Sequence, residues 1–304
     1  MRRLLRAIAA LSTLPLAVLP ATVSHAVPPP PATYLALGDS VAAGVGASRP
    51  DLGYVPLVAD ALRSARHCGN DRTLSCLLES INLSVGGATT TTLIANQLPA
   101  ATALLQERNS NATREDDVRL ITLTIGGNDL FQPVIAACQN PTAPLCSSTV
   151  AAQLQQMATN YAVILGELRA AAGRDTTIAV TTYYNGLAAP GCPATALRGL
   201  AQLVLEGGPS VSAGLNDIIR RTAEAYGAVV VETAPVEPAE IRPDCLHPTD
   251  EGHADIAGAV TDTVLSTVVG GPGRPALTPA PTPSPVQPGI AVDTAVIDYR
   301  DTHL

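Results

Sequence analysis

Four short stretches of this sequence carry side chains able to open an acyl bond, and they lie far apart along the chain. Tyr34-Leu35-Ala36-Leu37-Gly38-Asp39-Ser40 is an apolar run of strand length followed by glycine, an acid and a hydroxyl. Glycine permits a sharp turn, so a strand there would deliver Ser40 to the rim of a sheet, where a helix N-terminus can follow. In Asp244-Cys245-Leu246-His247 an imidazole follows a carboxylate by three residues. A neutral imidazole can take the Ser40 proton and later return it to a leaving alcohol. The carboxylate of Asp244 can hold the ring Nδ1–H and stabilise the imidazolium. Asn128, in Gly126-Gly127-Asn128-Asp129, can donate to a developing oxyanion without a competing charge, and Gly87, lacking a Cβ, lets its own amide approach the same point.

Each stretch also has a plainer reading. Gly, Asp and Ser are ordinary turn residues. Asn128-Asp129 suits a helix start, and capping is expected as the second role of Asp129. Asp39 is read as shaping the turn through backbone hydrogen bonds rather than as the acid of a triad. His253, beside Gly252 in the last helical segment, is expected to pack or to face solvent, and His67 carries little weight. The serine segment is not G-x-S-x-G, because Ala42 stands where the last glycine would be, which argues against an α/β-hydrolase elbow.

Strands must bring these residues together. Apolar and β-branched runs predict strands over Thr33–Leu37, Ile81–Val85, Arg119–Ile125, Thr177–Thr182 and Ala228–Glu232. Arg119–Ile125 is nearly continuous in apolarity, as in a parallel sheet buried on both faces. Helical spacing is read over Val55–Arg66, over Thr92–Glu107 with Pro99 expected to kink or interrupt it, and over Val150–Ala172. It continues over Ala196–Tyr226, broken near Gly207-Gly208-Pro209, and over about Asp250–Val268. Strands that alternate with helices through long connections imply a parallel α/β sandwich. Ligands in such sheets bind beyond the carboxyl ends of strands. Ser40, Gly87, Asn128 and His247 all fall just after a strand or in the loop beyond one.

Arg2, Arg3 and Arg6 open the chain, an apolar run follows to Leu19, and Ser24-His25-Ala26 supplies small residues for cleavage. Residues 1–26 are read as a secretory signal peptide, 27–270 as one hydrolytic domain, and 271–304 as a Pro-rich tail without a fold of its own. Cleavage removes three of the 18 basic residues and none of the 26 acids, leaving an acidic surface that repels nucleic acid and anionic membranes. No later segment is apolar enough to span a bilayer. The six cysteines, Cys68, Cys76, Cys138, Cys146, Cys192 and Cys245, all follow the signal. An even count outside the cytosol points to three disulfides, with 15 possible pairings. Sequence proximity favours Cys68–Cys76 and Cys138–Cys146, which leaves Cys192 for Cys245. Loop entropy gives roughly 2.5 kcal/mol for each short loop and about 4 kcal/mol for the long one. No CxxC or HExxH spacing suggests a metal, and no cofactor is called for.

Taken together and in this order, Gly38-Asp39-Ser40, Gly87, Gly126-Gly127-Asn128-Asp129 and Asp244-Cys245-Leu246-His247 resemble the SGNH or GDSL hydrolases, most closely secreted actinobacterial esterases and lipases. The resemblance runs from about Thr33 to Val268. It implies a flavodoxin-like three-layer α/β/α sandwich with a five-stranded parallel sheet, and hydrolysis of carboxylic esters. It implies Ser40 as nucleophile, His247 as base and Asp244 as its partner, with the Ser40 and Gly87 amides and the Asn128 side chain as oxyanion hole. The expected substrate is a small-molecule or lipid ester of short or medium acyl chain, handled by an extracellular monomer. A phospholipase or thioesterase would use the same site. A non-catalytic secreted binding or adhesion protein is the alternative of another class, disfavoured because the serine, asparagine and histidine are all intact.

Overall fold

β1 (Ala32–Gly38) and β3 (Val118–Thr124) are buried along almost their whole length and lie side by side at the centre of a single sheet. β2 (Leu78–Asn82), β4 (Thr177–Thr181) and β5 (Val229–Val231) complete the order β2-β1-β3-β4-β5, with every neighbouring pair parallel. The computed structural model describes residues 32–64, 78–114, 116–139, 144–192, 195–233 and 236–269. The expected signal peptide, the Cys68–Cys76 pair, His67 and the Pro-rich tail lie outside them.

Alternation along each strand sends apolar side chains to both faces. Leu35, Leu37, Ile121, Leu123, Ile178 and Val180 pack under α2 (Thr90–Asn109), α3 (Gly127–Ala137), α4 (Pro144–Ala172), α5 (Thr195–Glu206) and α6 (Leu215–Ala225). Tyr34, Ala36, Leu120, Ala179 and Val231 face α1 (Tyr54–Ser64) and α7 (Asp250–Val269). In α1 the buried residues Val55, Val58, Ala59 and Leu62 fall at helical spacing on the inner face. Burying each such leucine, isoleucine or valine contributes about 1.5–3 kcal/mol. The result is the expected three-layer α/β/α sandwich with five parallel strands. Among the described residues, no helix is long and apolar enough to cross a membrane.

The local differences from the sequence reading have physical causes. β2 begins three residues earlier than expected and ends at Asn82. The Leu83 and Val85 amides still donate to the Ala36 and Gly38 carbonyls at 2.9 and 3.0 Å, so β1 guides this segment past the strand's end. α2 is not interrupted at Pro99. The proline lies on the exposed face, where water can satisfy the carbonyl it frees, while Leu93, Leu98, Ala101 and Leu105 hold the other face in the core. α3 answers to the helix start read at Asn128-Asp129, and its extent to Ala137 was not assigned because Gly127 and Pro133 obscure its periodicity. α4 starts at Pro144, six residues before Val150. Cys138, at the end of α3, and Cys146, in the first turn of α4, form a disulfide with Cα atoms 4.6 Å apart. Cys192–Cys245 is the other described disulfide, Cα–Cα 5.8 Å.

Candidate active site

Three adjacent strands converge on one rim of the sheet. β1 delivers Ser40, β3 delivers Asn128 and the loop after β2 delivers Gly87, where the strand order reverses about β1 and β3. Gly38 makes the turn to Ser40 possible. Its φ is 147°, and a Cβ there would collide with the Thr124 carbonyl. Gln97 of α2, also buried, grips the same residue twice. Its Oε1 accepts from Gly38 N–H at 2.9 Å and its Nε2 donates to Gly38 O at 2.8 Å. No helix follows Ser40. Successive turns run to Gly46, and α1 starts only at Tyr54. Asn82 Nδ2 donates to Ala42 O at 2.8 Å and holds these turns from β2.

The histidine arrives from the other end of the chain, in the loop before α7. His247 Nε2 lies 2.9 Å from Ser40 Oγ, and Nδ1 lies 2.8 Å from Asp244 Oδ2. Asp244 Oδ1 accepts from the Leu246 and His247 amides, both at 3.0 Å. Partial burial raises the Asp244 carboxyl, but the His247 and Leu246 amides and the His247 ring together bring it below its ordinary value. Four anchors hold this loop. Arg242 N–H donates to His247 O at 2.8 Å, Arg242 Nη1 to Gly46 O at 3.0 Å, and Tyr184 Oη to Leu246 O at 2.7 Å. The fourth is the disulfide from Cys192 to Cys245, which has a left-handed φ of 64°.

Opposite the histidine, Asn128 Nδ2 donates to Ala88 O at 2.9 Å. That bond uses one of two amide hydrogens and fixes the orientation of the other. Gly87 has φ 78°, and a Cβ there would meet nothing within 4 Å. Glycine suits this turn by its backbone conformation, since the left-handed φ is one that other residues rarely adopt. Asp129 does cap a helix, but not its own. It is buried and accepts from Thr90 N–H at 2.9 Å and from Thr90 Oγ1, holding the start of α2. Asn160 Nδ2 donates to the same hydroxyl at 2.8 Å.

Ser40, Gly87, Asn128 and His247 line a cleft of about 430 Å³. Its walls are apolar, with Leu130, Phe131 and Val134 from α3 facing Leu197, Leu200 and Val204 from α5. A hydroxyl within hydrogen-bond reach of an imidazole, with amide donors lining the same cleft, is an arrangement able to transfer an acyl group. A profile of the GDSL-like lipase/acylhydrolase family matches residues 36–254, which contain all four motifs.

The chain belongs to that family. A GDSL-like acylhydrolase is a carboxylic ester hydrolase, and this chain is one. It is similar in fold to the lipase Lip_vut3 from a goat rumen metagenome, with 18% identity and a TM-score of 0.54 over 76% of this chain and 96% of that one. It is similar also to an extracellular lipase from Streptomyces rimosus, with 18% identity and a TM-score of 0.52 over 76% of this chain and 99% of that one. No curated protein matched the chain in sequence.

Several residues around this acylhydrolase site were not singled out by the sequence. Gln97 is one, and a glutamine on the buried face of α2 beside Leu93, Leu98 and Ala101 was the available signal. His253 packs, as expected, and does more. It is fully buried, its Nδ1 accepts from Tyr54 N–H at 3.3 Å, and its Nε2–H donates to Val45 O at 3.1 Å. Burial lowers its pKa, so it sits as a neutral brace beneath the turns that follow Ser40. Asp39 shapes its turn as expected, accepting from Val41 N–H at 2.9 Å. It also accepts from Tyr183 Oη, a partner without a sequence signal.

Proposed function

We propose that this acylhydrolase is exported and cleaves acyl esters through an acyl-enzyme on Ser40. The observation that carries the reading is the line Ser40 Oγ, His247 Nε2, His247 Nδ1, Asp244 Oδ2, with links of 2.9 and 2.8 Å. His247, with its ring proton on Nδ1 and donated to Asp244, takes the Ser40 proton at Nε2 while Oγ bonds to the ester carbonyl carbon. The charge that develops on the carbonyl oxygen is met by the Ser40 and Gly87 N–H groups and the free hydrogen of Asn128 Nδ2. As the intermediate collapses, the carbon–alkoxy bond breaks and the imidazolium returns the proton to the leaving alcohol. Water then repeats the sequence against the acyl-enzyme, releasing the acid and restoring Ser40.

The apolar walls between α3 and α5 suit the hydrocarbon of an acyl chain, with the reacting carbonyl at the polar end of the cleft. Short to medium acyl esters are the proposed substrates, and the lipase names of two structural neighbours fit that class. Export is supported by the basic and apolar opening of the chain and by the described disulfides. We read residues 27–270 as the working unit, active as a monomer, and residues 271–304 as a tail beyond it.

Labelling with an organophosphonate, followed by peptide mapping, tests the assignment. The adduct is expected on Ser40, and Ser40→Ala is expected to abolish both labelling and hydrolysis of nitrophenyl esters. An adduct elsewhere, or a Ser40→Ala protein that still hydrolyses esters, refutes it. A series of nitrophenyl esters of increasing acyl length reads the cleft, and fastest turnover on long-chain esters would overturn the short-to-medium assignment.

A further inference from the structure

Asp39 stands between the glycine of the nucleophile turn and Ser40, yet its carboxylate faces inward and is only 2% exposed. Oδ1 accepts from Val41 N–H at 2.9 Å and Oδ2 accepts from Tyr183 Oη. Neither partner carries a charge. Tyr183 is itself held firmly, because Asn216 on α6 bonds its backbone on both sides. Tyr183 N–H donates to Asn216 Oδ1 at 2.8 Å, and Asn216 Nδ2 donates to Tyr183 O at 2.9 Å. The tyrosine ring also lies against the turn that carries Asn128, since a Cβ on Gly127 would come within 2.9 Å of its Cε1. One ring thus touches both the turn bearing Ser40 and the turn bearing Asn128.

We infer that Asp39 and Tyr183 form a positioning pair that fixes the distance between the nucleophile and the oxyanion donor, and that the pair works only with Asp39 ionised. This rests on the reading of Ser40 as nucleophile. An ionised carboxylate accepts at both oxygens, whereas a protonated one must donate at one of them, and the Tyr183 hydroxyl can receive that proton only by turning its own hydrogen away from Asp39. The charge-assisted bond from Tyr183 is then replaced by a weaker, reversed one, and the spacer between the two turns loosens. The groups that bear on Asp39 are Tyr54 from α1, Asp129 from α3, Tyr161 from α4, Tyr183 and Tyr184 after β4, and His247. Burial raises the Asp39 carboxyl to about 6, against the Tyr183 and Val41 hydrogen bonds and the His247 charge, with Asp129 adding to the rise. That places its titration on the acid side of the working range.

The test is the pH dependence of kcat and kcat/KM on one nitrophenyl ester for wild type, Tyr183→Phe and Asp39→Asn. Each is scaled to the fraction of sites that a phosphonate titrates, so that unfolded protein does not count. Tyr183→Phe is expected to lower kcat about tenfold with KM within about twofold. It should also move the acid limb of kcat/KM to higher pH, because the lost bond had favoured the ionised form of Asp39. In wild type the acid limb should follow two protonations, and in Asp39→Asn only one. Tyr183→Phe with wild-type kcat and an unmoved acid limb would overturn the inference while leaving Ser40 in place, as would two protonations persisting in Asp39→Asn. Ester hydrolysis surviving in Ser40→Ala would overturn the nucleophile assignment and this inference together.

Discussion

Replacing Asp39 by asparagine should make the protein more stable at neutral pH while making it a poorer enzyme. The carboxylate is almost fully buried and its hydrogen-bond partners are neutral. Its pKa rises from 3.8 to about 6, and a displacement of that size corresponds to about 3 kcal/mol of native-state free energy spent on ionisation. The native state binds the Asp39 proton more tightly than the unfolded chain does. Stability is therefore greatest below the unfolded pKa, falls as pH rises through the native pKa, and is flat above it. Asparagine escapes this cost at every pH. It keeps one acceptor oxygen but presents N–H where the other stood, so one hydrogen bond is changed at about 1 kcal/mol. The balance is a gain of about 2 kcal/mol for Asp39→Asn above neutrality, shrinking to nothing or a small loss near pH 4. Urea unfolding at pH 7.5 and pH 4, followed by far-ultraviolet circular dichroism, measures both, and an unchanged m value would show that the denatured state is not the cause. A variant less stable than wild type at pH 7.5, or a difference that does not change with pH, would refute the reasoning.

Asn128→Ala should lower kcat about 10²–10³-fold with little change in KM, as expected of the proposed donor to the developing oxyanion; steady-state kinetics on a nitrophenyl ester will show it, and a loss confined to KM would contradict the role. Asp244→Asn should lower kcat strongly, because the imidazolium loses its counter-charge, and a variant with most activity intact would move the acid's role elsewhere. Mild reductant should abolish activity before the sheet unfolds. The Cys192–Cys245 bridge closes 53 residues, a constraint of about 4 kcal/mol, and Cys245 lies in the loop carrying Asp244 and His247. Thiol titration read by activity and by circular dichroism should give two separate curves, and coincident curves would sink the idea. Asp129→Ala should lower kcat and loosen the start of α2, visible as faster amide exchange at Thr90, because the Thr90 amide and hydroxyl lose their acceptor.

The parts of this fold that were readable from the residues are those set by local chemistry. Arg119–Ile125 is apolar on both faces, so its place at the centre of the sheet follows from its own composition. Gly38 announces a turn because only glycine tolerates that backbone. The hidden parts are the contacts made across long separations. Asp129 looks like the cap of the helix it belongs to, and its actual partner, Thr90, is 39 residues away. Tyr183 meets Asp39 across 144 residues, and Gln97 meets Gly38 across 59. Nothing near any of these residues marks the meeting, since each bond exists only once the sheet has brought the segments together. α3 was legible only as a helix start at Asn128-Asp129, without an extent, for a different reason. Glycine and proline weaken its intrinsic preference for helix, and its buried residues, Asp129, Leu130 and Val134, are too few to set a period.

Ser40 and His247 come from opposite ends of the domain, 207 positions apart along the chain. Synthesis proceeds from the N-terminus, so a growing polypeptide displays its hydroxyl, its amide donors and most of the sheet long before any imidazole reaches them. Until the segment ahead of α7 has emerged and docked, the nascent chain lacks the contact between Ser40 and His247. On the proposed mechanism, hydrolytic activity would therefore appear only once nearly the whole domain has been made.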